Sequence, residues 1–532
     1  MSLRPIITIC GTTGVGKSKL AVELALQLCQ GYSSHEWTGA RIINADSMQV
    51  YNGMDVITNK LPVSERQGVE HLLMGFKEPG EQYVVGQWVH DAMRLIDETH
   101  RRKQIPIVVG GTSYWIQHLI FPNRLSADPS SSSALSSAIP AVSDVLAKSL
   151  ASLPPDLLNL FNNLPESPPS ASEDPEAAFA LHSLLSALDL PVASRWHWRD
   201  TRKVLRSLAI MKESGRRPSD IITEQSQTTI RPRYDTLCFW LHAEATSLNP
   251  RLERRVDEMI EQGLLDEIRE MRKIASLASP TSQLGGSNKT QSETDYTLGI
   301  YQSIGYKEFH DYLSALSPSE KVFADAIENM KLSTRKYAKR QVSWIRNKLL
   351  PAIYAANIGA PPQMAAYLLD ATELGDKWLS GVRDSAIDIT QAFLQRAPLP
   401  DPLSLSEAAG RLLSIATKSI ECVPPSVFCP FVDPLMIRAD ANPSPTTVLA
   451  ARRKLVCPVC TVNSEQPVMI EEGTEWAVHQ RTKVHRRLAS KAKREREVKE
   501  DIVRGRGARD DTSDDRDMLE DIWEGARNLY GT

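Results

Sequence analysis

Ile6-Ile7-Thr8-Ile9-Cys10 runs directly into Gly11-Thr12-Thr13-Gly14-Val15-Gly16-Lys17-Ser18. The first five residues are a short apolar, β-branched run and read as a buried strand. The next eight fit G-x-x-x-x-G-K-[ST], and Leu20, Leu24 and Leu28 then recur on one helical face. Strand, glycine loop and helix in that order make a phosphate loop. Its glycines let backbone N–H groups converge on phosphate oxygens. Lys17 adds a point charge, Ser18 offers a ligand for Mg²⁺, and the helix N-terminus favours an anion. The motif does not say which phosphate; a nucleotide kinase or ATPase is the default, although no arginine finger or sensor motif of a motor ATPase is evident.

Working outward, Arg41-Ile42-Ile43-Asn44-Ala45-Asp46 and Ile105-Pro106-Ile107-Val108-Val109, the latter stopped by Gly110-Gly111, are further strand candidates. Strands alternating with helical segments predict a parallel α/β sheet. Asp46, at the end of its strand, suits a metal-binding acid or, more plainly, a turn or helix-capping residue. From Pro122 to Ser194 the chain is rich in Ser, Leu and Ala at helical spacing and reads as a helical insertion. Residues 200–216, 248–270 and 319–348 read as charged amphipathic helices, and Ser276–Asp295 as a disordered surface loop. The expected organisation is a P-loop catalytic core in two parts, 1–122 and 200–350, around an insertion domain, 123–199. A helical and Pro-rich linker (351–450), a small Cys/His module with a basic helix (451–507) and an acidic tail (508–532) follow.

The bulk composition is that of a soluble protein: 532 residues, 42% hydrophobic, 24% charged, net charge -3. No apolar run approaches the roughly 20 residues that span a bilayer, and Met1–Pro5 is too short for a targeting peptide. Seven scattered cysteines are too sparse for a disulfide scaffold and suit a reducing compartment. A cytoplasmic protein is expected, with nucleus and mitochondria left open. The near-neutral net charge hides local excesses. Residues 331–348 hold seven Lys or Arg and no acid, with Tyr337 and Trp344 interleaved, a pattern that suits nucleic-acid phosphates although a charge run is usually only a solvated face.

A series of short stretches in fixed order narrows the reading. They are Asp46-Ser47-Met48-Gln49-Val50-Tyr51, His71-Leu72-Leu73, Gly110-Gly111-Thr112-Ser113-Tyr114, Asp200–Arg206, Arg251–Asp257, Gly263–Glu267, Ile304-Gly305-Tyr306-Lys307-Glu308 and Thr334–Gln341. Together with the phosphate loop, over about residues 4–350, they resemble the tRNA dimethylallyltransferase (tRNA isopentenyltransferase) family. The resemblance implies that the loop holds the diphosphate of dimethylallyl diphosphate, and that the prenyl group goes to N6 of the adenosine immediately 3′ of the anticodon. It implies Asp46 as general base. It places Thr13, Lys17, Ser18 with Mg²⁺, and one arginine of the Arg251/Arg255 pair at the departing diphosphate, without deciding between the two. It puts Asp46, Ser47, Met48, Gln49 and Thr112 beside an adenosine drawn out of its stack. It assigns Arg202, Lys203, Val204, Leu205, Arg206, Ile304, Gly305, Tyr306 and Lys307, with Arg335, Lys339 and Arg340 of the basic run, to tRNA contact. A monomer is the family expectation. One departure is that Ala127-Asp128-Pro129 is followed by Ser130–Ser133, where bacterial members usually carry a basic residue.

Cys457-Pro458-Val459-Cys460, His479 and His485 make C-x₂-C-x₁₈-H-x₅-H. Two thiolates and two imidazoles suit tetrahedral, structural Zn²⁺. The module resembles the single C-terminal finger of eukaryotic family members, with Trp476 as its expected core aromatic. Residues 481–507 carry 11 basic and 4 acidic side chains, which suits RNA contact or a nuclear-localisation signal. Three rivals remain open: an adenylate isopentenyltransferase, a P-loop kinase or ATPase, and an RNA-binding finger protein with an inactive loop.

Overall fold

The computed structural model describes residues 3–30, 36–122, 142–227, 231–278, 299–357, 363–421 and 453–506. The expectations for Ala127–Ser133, for most of the 276–295 loop, for the Pro-rich stretch 422–450 and for the acidic tail lie outside these residues. The chain divides into two compact units. One comprises Met1–Ile139 and Thr223–Pro445, the other Pro140–Ile222 and Thr446–Thr532.

The first unit is built on a six-stranded parallel sheet of order β3-β2-β4-β1-β5-β6. The strands are β1 Pro5–Gly11, β2 Ala40–Asn44, β3 His71–Leu72, β4 Ile105–Val109, β5 Asp235–His242 and β6 Met364–Asp370. Alternation sends Ile6, Ile43, Val108 and Trp240 into one apolar layer, and Ile7, Ile42, Ile107, Phe239 and Leu369 into the other. Helices cover both faces, as a parallel sheet requires: Val85–Arg101 and Ser113–Ile120 lie in the first layer, and Lys17–Cys29 and Ser385–Leu394 in the second. Arg41, 3% exposed, is tolerated in β2 because Glu70 and Glu98 pair with its guanidinium.

The three strands read from the sequence are present, and three more join them. β5 is the run Asp-Thr-Leu-Cys-Phe-Trp-Leu-His, buried throughout. β6 falls in the stretch expected to be a linker. Met, Ala and Leu dominate it and favour helix as isolated residues; pairing of Thr236–His242 with Met364–Asp370 along the sheet edge overrides that preference. The predicted helix over 248–270 is two helices, Ala245–Glu261 and Leu264–Ala278, separated at Gly263 with φ +96°. The predicted 319–348 helix is Glu320–Trp344, continued by a wider turn over Ile345–Leu349.

The second unit contains the helical insertion. Pro175–Leu188 starts with Asp174 as cap, its Oδ1 accepting from Ala177 N at 2.9 Å, and Pro175 in the first turn. Its Leu181, Leu184, Leu185 and Leu188 pack with Val204, Leu205, Leu208 and Met211 of Thr201–Ser214. That second helix therefore belongs to the insertion, not to the second half of the core where its sequence position suggested. The Cys/His module shares this unit: β7 Lys454–Val456 and β8 Met469–Glu471 form an antiparallel pair, followed by helices Thr474–Gln480 and Lys483–Arg506. It is fastened to the insertion. Lys454 N donates to Ser194 O at 2.6 Å, Trp198 Nε1 donates to Pro467 O at 2.8 Å, and Trp198 packs with Ala178 and Met469. The aromatic beneath the module is thus Trp198, buried, whereas Trp476 is half-buried with its ring 5.9 Å from that of His479. A module this short has little apolar surface of its own, and borrows a buried indole from the helices.

Trp198→Ala should cost about 3–5 kcal/mol of local stability, as for other buried Trp truncations. Hydrogen exchange should quicken in 454–471 and in Pro175–Leu188, with the sheet unchanged; unaltered exchange in β7 and β8 would show that the indole does not hold the module.

Candidate active site at the carboxyl edge of the sheet

In a parallel sheet the loops after the strands gather at one edge, where ligands bind. Here β1 leads into the phosphate loop, β2 into Ala45-Asp46-Ser47, and β4 into Gly110-Gly111-Thr112. A cavity of about 400 Å³ opens among them, lined by Thr13, Gly14, Gly16, Lys17, Ser18, Asn44, Asp46, Gln49, Gly110, Gly111, Arg255, Tyr337 and Gln341. A second wall is Thr58-Asn59-Lys60-Leu61-Pro62 with Glu65, His71 and Met74.

The loop conformation explains its residues. Gly14 and Gly16 have φ +79° and +85°, the left-handed region that glycine adopts without strain. Lys17 Nζ donates to Thr12 O at 2.6 Å. Desolvation pulls the Lys17 ammonium down to about 8, against the pull of the Asp46 carboxylate. Desolvation likewise lowers the Arg255 guanidinium to about 10, again opposed by Asp46. Lys17 and Arg255, both desolvated beside Asp46, favour an incoming polyanion. Ser18 lines the same cavity.

The two arginines differ. Arg255 Nη1 donates to Thr13 Oγ1 at 2.5 Å, inside the cavity. Arg251 donates to Ala371 O at 2.8 Å and to Thr372 O, and does not line the cavity. Of the pair, the structure brings Arg255 to the phosphate loop and gives Arg251 to the segment after β6.

Asp46 is held by its neighbours. Asn44 Oδ1 accepts from Asp46 N at 3.0 Å, and Asp46 Oδ1 accepts from Met48 N at 3.0 Å. A Cβ on Gly111 would lie 3.2 Å from Asp46 Oδ2, and one on Gly110 only 2.1 Å from the Ala45 carbonyl group, so the double glycine lets the β2 and β4 loops close on the carboxylate. Thr112 Oγ1 accepts from Ser47 N at 3.1 Å, and Gln49 Nε2 donates to Thr58 O and Asn59 O at 3.1 Å.

Gln341, Tyr337, Lys60 and His71 are among the lining residues that sequence reasoning did not assign to the site. Gln341 accepts from Thr13 N at 2.9 Å and donates to Gly111 O at 3.0 Å, tying the phosphate loop to the β4 loop from the Glu320–Trp344 helix. Tyr337 is one turn earlier, its phenol pushed up by burial and then by Asp46. The signal was present: Thr334, Ala338 and Gln341 are buried at helical spacing within a basic helix, so its inward face carries polar groups. Lys60 is buried, bonded to Tyr51 O and to Asp55 Oδ1. His71 bonds Val69 O through Nδ1 at 2.8 Å, which leaves its buried Nε2 unpartnered, and burial holds the ring below its ordinary pKa.

Several residues expected at tRNA are not free to reach one. Val204 and Leu205 are in the core of the helical unit, because adjacent positions on Thr201–Ser214 cannot all face outward. Tyr306 is buried with its ring 5.3 Å from that of Tyr301, and Gly305 N donates to Glu308 Oε2 at 2.8 Å in a turn with φ +110°. Ile304 is half-buried and Lys307 exposed. Arg202, Lys203 and Arg206 keep polar ends outside; Lys203 pairs with Asp200 and Arg206 with Glu213. Lys339 and Arg340 are exposed, while Arg335 pairs with Glu253.

The four Cys/His ligand atoms all lie within 4.8 Å of one another. His485 Nδ1 is 3.5 and 3.4 Å from the sulfurs of Cys457 and Cys460, and 3.2 Å from His479 Nε2. Bond lengths of about 2.3 Å to sulfur and 2.0–2.1 Å to nitrogen give tetrahedral S···N and N···N edges of about 3.6 and 3.3 Å. The cluster is compatible with a zinc finger.

With this geometry, comparison with known proteins is informative. The model of one family, IPP transferase, matches residues 49–348, more than half of the chain. The chain belongs to that family. The tRNA dimethylallyltransferase of Schizosaccharomyces pombe is 38% identical over 419 residues, covering 78% of this chain and 85% of that protein. The Saccharomyces cerevisiae and human proteins of the same name are 34% and 31% identical, covering 74% and 75% of this chain and 77% of each relative. A solved eukaryotic dimethylallyltransferase acting on tRNA covers 93% of this chain and 99% of its own, with a TM-score of 0.64 and 29% identity. The chain is a prenyltransferase of the IPP transferase family, and no helix among the described residues is long and apolar enough to cross a membrane.

Gln341→Glu should test the bridge. The carboxylate still accepts from Thr13 N but gives nothing to Gly111 O and brings negative charge to the anion site. Leaving a buried group unpaired costs about 1–3 kcal/mol, so donor KM should rise at least fivefold in steady-state kinetics, and more in Glu than in Ala; equal KM values for both variants and wild type would remove Gln341 from the site.

Proposed function

We propose that this protein transfers a dimethylallyl group from dimethylallyl diphosphate to N6 of the adenosine immediately 3′ of the anticodon in tRNA, giving N6-isopentenyladenosine. The observation that carries this reading is the position of Asp46: its backbone N–H is held by Asn44 Oδ1, its carboxylate accepts from Met48 N, and it lines the same cavity as the phosphate loop, Lys17 and Arg255. A kinase would need the loop for a nucleotide; here the acid beside it is posed to serve an acceptor amine.

In this reading the diphosphate lies on the amides of Gly14–Ser18, with Lys17 and Arg255 against its oxygens. Ser18 would hold Mg²⁺, which when bound would supply further neutralisation of the leaving group. The adenine enters beside Ser47, Met48, Gln49 and Thr112 after leaving its stack. N6 forms a bond to the allylic carbon as that carbon's bond to the diphosphate oxygen breaks. The proton from N6 goes to Asp46, and diphosphate departs with the electron pair. Because negative charge builds on the leaving group, preorganised cations there lower the barrier. Arg255, with Thr13 Oγ1 as its anchor, takes this role.

The zinc-finger module with its basic helix contributes tRNA phosphate contacts, along with Arg202, Lys203, Arg206, Lys307, Lys339 and Arg340. Zn²⁺ would be held by Cys457, Cys460, His479 and His485 and serve folding. A monomer suffices, since both acid and phosphate loop come from one chain. Adenylate as acceptor is not favoured, because a free nucleotide has no use for the basic finger.

Mass spectrometry of tRNA incubated with the protein, dimethylallyl diphosphate and Mg²⁺ should show an added C₅H₈ on one adenosine. Asp46→Ala should lower the single-turnover rate roughly 10²–10⁴-fold, as for loss of a general base, and Arg255→Ala about 10²–10³-fold, both with tRNA affinity retained. ATP hydrolysis without prenylated product would move the protein to the kinase or ATPase class.

Chelation of a metal at the Cys/His cluster, with Mg²⁺ kept in excess, should leave single-turnover chemistry intact at saturating tRNA, weaken tRNA binding, and flatten its dependence on salt, because fewer phosphates then release counterions. Slower chemistry at unchanged affinity would assign the finger to the active site instead.

A further inference from the structure

The phosphate loop is backed by a residue far downstream. Trp378 follows β6 and is 1% exposed. A Cβ built on Gly16 would lie 2.6 Å from its Cη2 and 2.8 Å from its Cζ3, so the edge of the indole lies directly against the backbone of Gly16. The indole N–H donates to Glu23 Oε2 at 3.1 Å, and Lys19 Nζ lies 4.8 Å from the ring centroid. Both partners are on the helix Lys17–Cys29, within two turns of its N-terminus. Trp378 thus touches the last loop glycine and the helix it opens, both of which also line the cavity.

The segment carrying Trp378 is itself fastened. Asp370 Oδ1 accepts from Thr372 N at 2.9 Å, Thr372 Oγ1 accepts from Glu244 N at 3.0 Å, and Arg251 clasps the carbonyls of Ala371 and Thr372. Ala371 N donates to His242 O at 2.7 Å, continuing the β5–β6 pairing. The chain of contact runs from the helix Ala245–Glu261 through Arg251 to residues 371–372, and from Trp378 to Gly16.

We propose that Asp370–Trp378 is a brace that fixes the phosphate loop for its diphosphate, with Trp378 and Arg251 as positioning residues that act through Gly16. The proposal rests on the reading of the loop as the donor-diphosphate site. A glycine at φ +85° has no side chain to resist collapse or rotation, and misplacement of reacting groups by about 1 Å can cost a hundredfold in rate. A buried, rigid ring edge against Gly16 would hold the backbone of Gly16, Lys17 and Ser18 in place along the cavity they line. Arg251 then serves the diphosphate indirectly, whereas Arg255 meets it.

The test uses the full chain with inorganic diphosphate and Mg²⁺ as the probe, by calorimetry, beside steady-state prenyl transfer. Trp378→Ala should weaken diphosphate binding and raise donor KM by similar factors, roughly ten- to a hundredfold, with tRNA KM unchanged. Trp378→Phe, which keeps a flat ring but loses the bond to Glu23, should restore most of the affinity; Trp378→Leu, which fills space without a plane, should restore less and serves if the alanine variant does not fold. Arg251→Ala should raise donor KM, and its effect should combine with that of Trp378→Ala to less than the product of the two. Wild-type diphosphate affinity in folded Trp378→Ala or Trp378→Leu overturns the brace. Wild-type protein that binds diphosphate yet makes no prenyl product overturns the functional reading alone, and the affinity comparison still decides the brace.

Discussion

An anion cradle made of backbone N–H groups has to be kept in shape by something other than itself. The stretch Gly11–Ser18 spends its glycines on left-handed and tight conformations, and so has few side chains with which to hold them. Support comes from outside. Gln341 takes the amide of Thr13, Arg255 takes its hydroxyl, Trp378 lies against Gly16, and Leu252 packs where a side chain on Gly14 would go. These residues lie on three elements, all far from the loop in sequence. Most of the first unit's architecture can be understood as what brings them to one edge of the sheet.

The same constraint explains why the cations are uncomfortable. Lys17 and Arg255 both lose affinity for their protons through desolvation, and Asp46 only partly offsets this. A fold optimised for stability alone would replace such a group or let water in. Keeping it is consistent with a site whose missing charge arrives with the ligand. Asp46 steadies the two cations; under the proposed function a diphosphate would take over that task and leave the carboxylate to accept a proton.

The sequence shows the glycine loop of this arrangement more clearly than its support. Ile6–Ser18 is legible because a buried strand, glycines and a lysine each have one local reason to be where they are. Asp46 and Gly110-Gly111 are legible as strand ends, and their closeness follows from the β2–β4 pairing. Residues that act over long separations are less so. Trp378 reads only as an aromatic in a helical stretch until β6 is seen to pair with β5, and β6 is composed of residues that locally favour helix. Gln341 carried a signal, a polar residue on the inward face of an amphipathic helix. Val204, Leu205 and Tyr306 show the opposite error. A motif that resembles a recognition segment includes the residues that hold it in place, and burial separates the two.

The Cys/His module follows the same logic at smaller scale. Its four Cys and His side chains bring their ligand atoms within 4.8 Å of one another, but a two-stranded pair and a short helix cannot bury enough apolar surface to fix their own orientation. Trp198 supplies a buried plane and a donor to Pro467 O, and Lys454 N extends the attachment to Ser194. In both units, then, a tryptophan distant in sequence lies behind a small loop whose function depends on where its polar groups point. Indole suits the task because it offers a large rigid surface and one directional N–H, with only two side-chain torsions to immobilise. A metal or an anion can pull ligands together once it is bound; only packing of this kind can aim them beforehand.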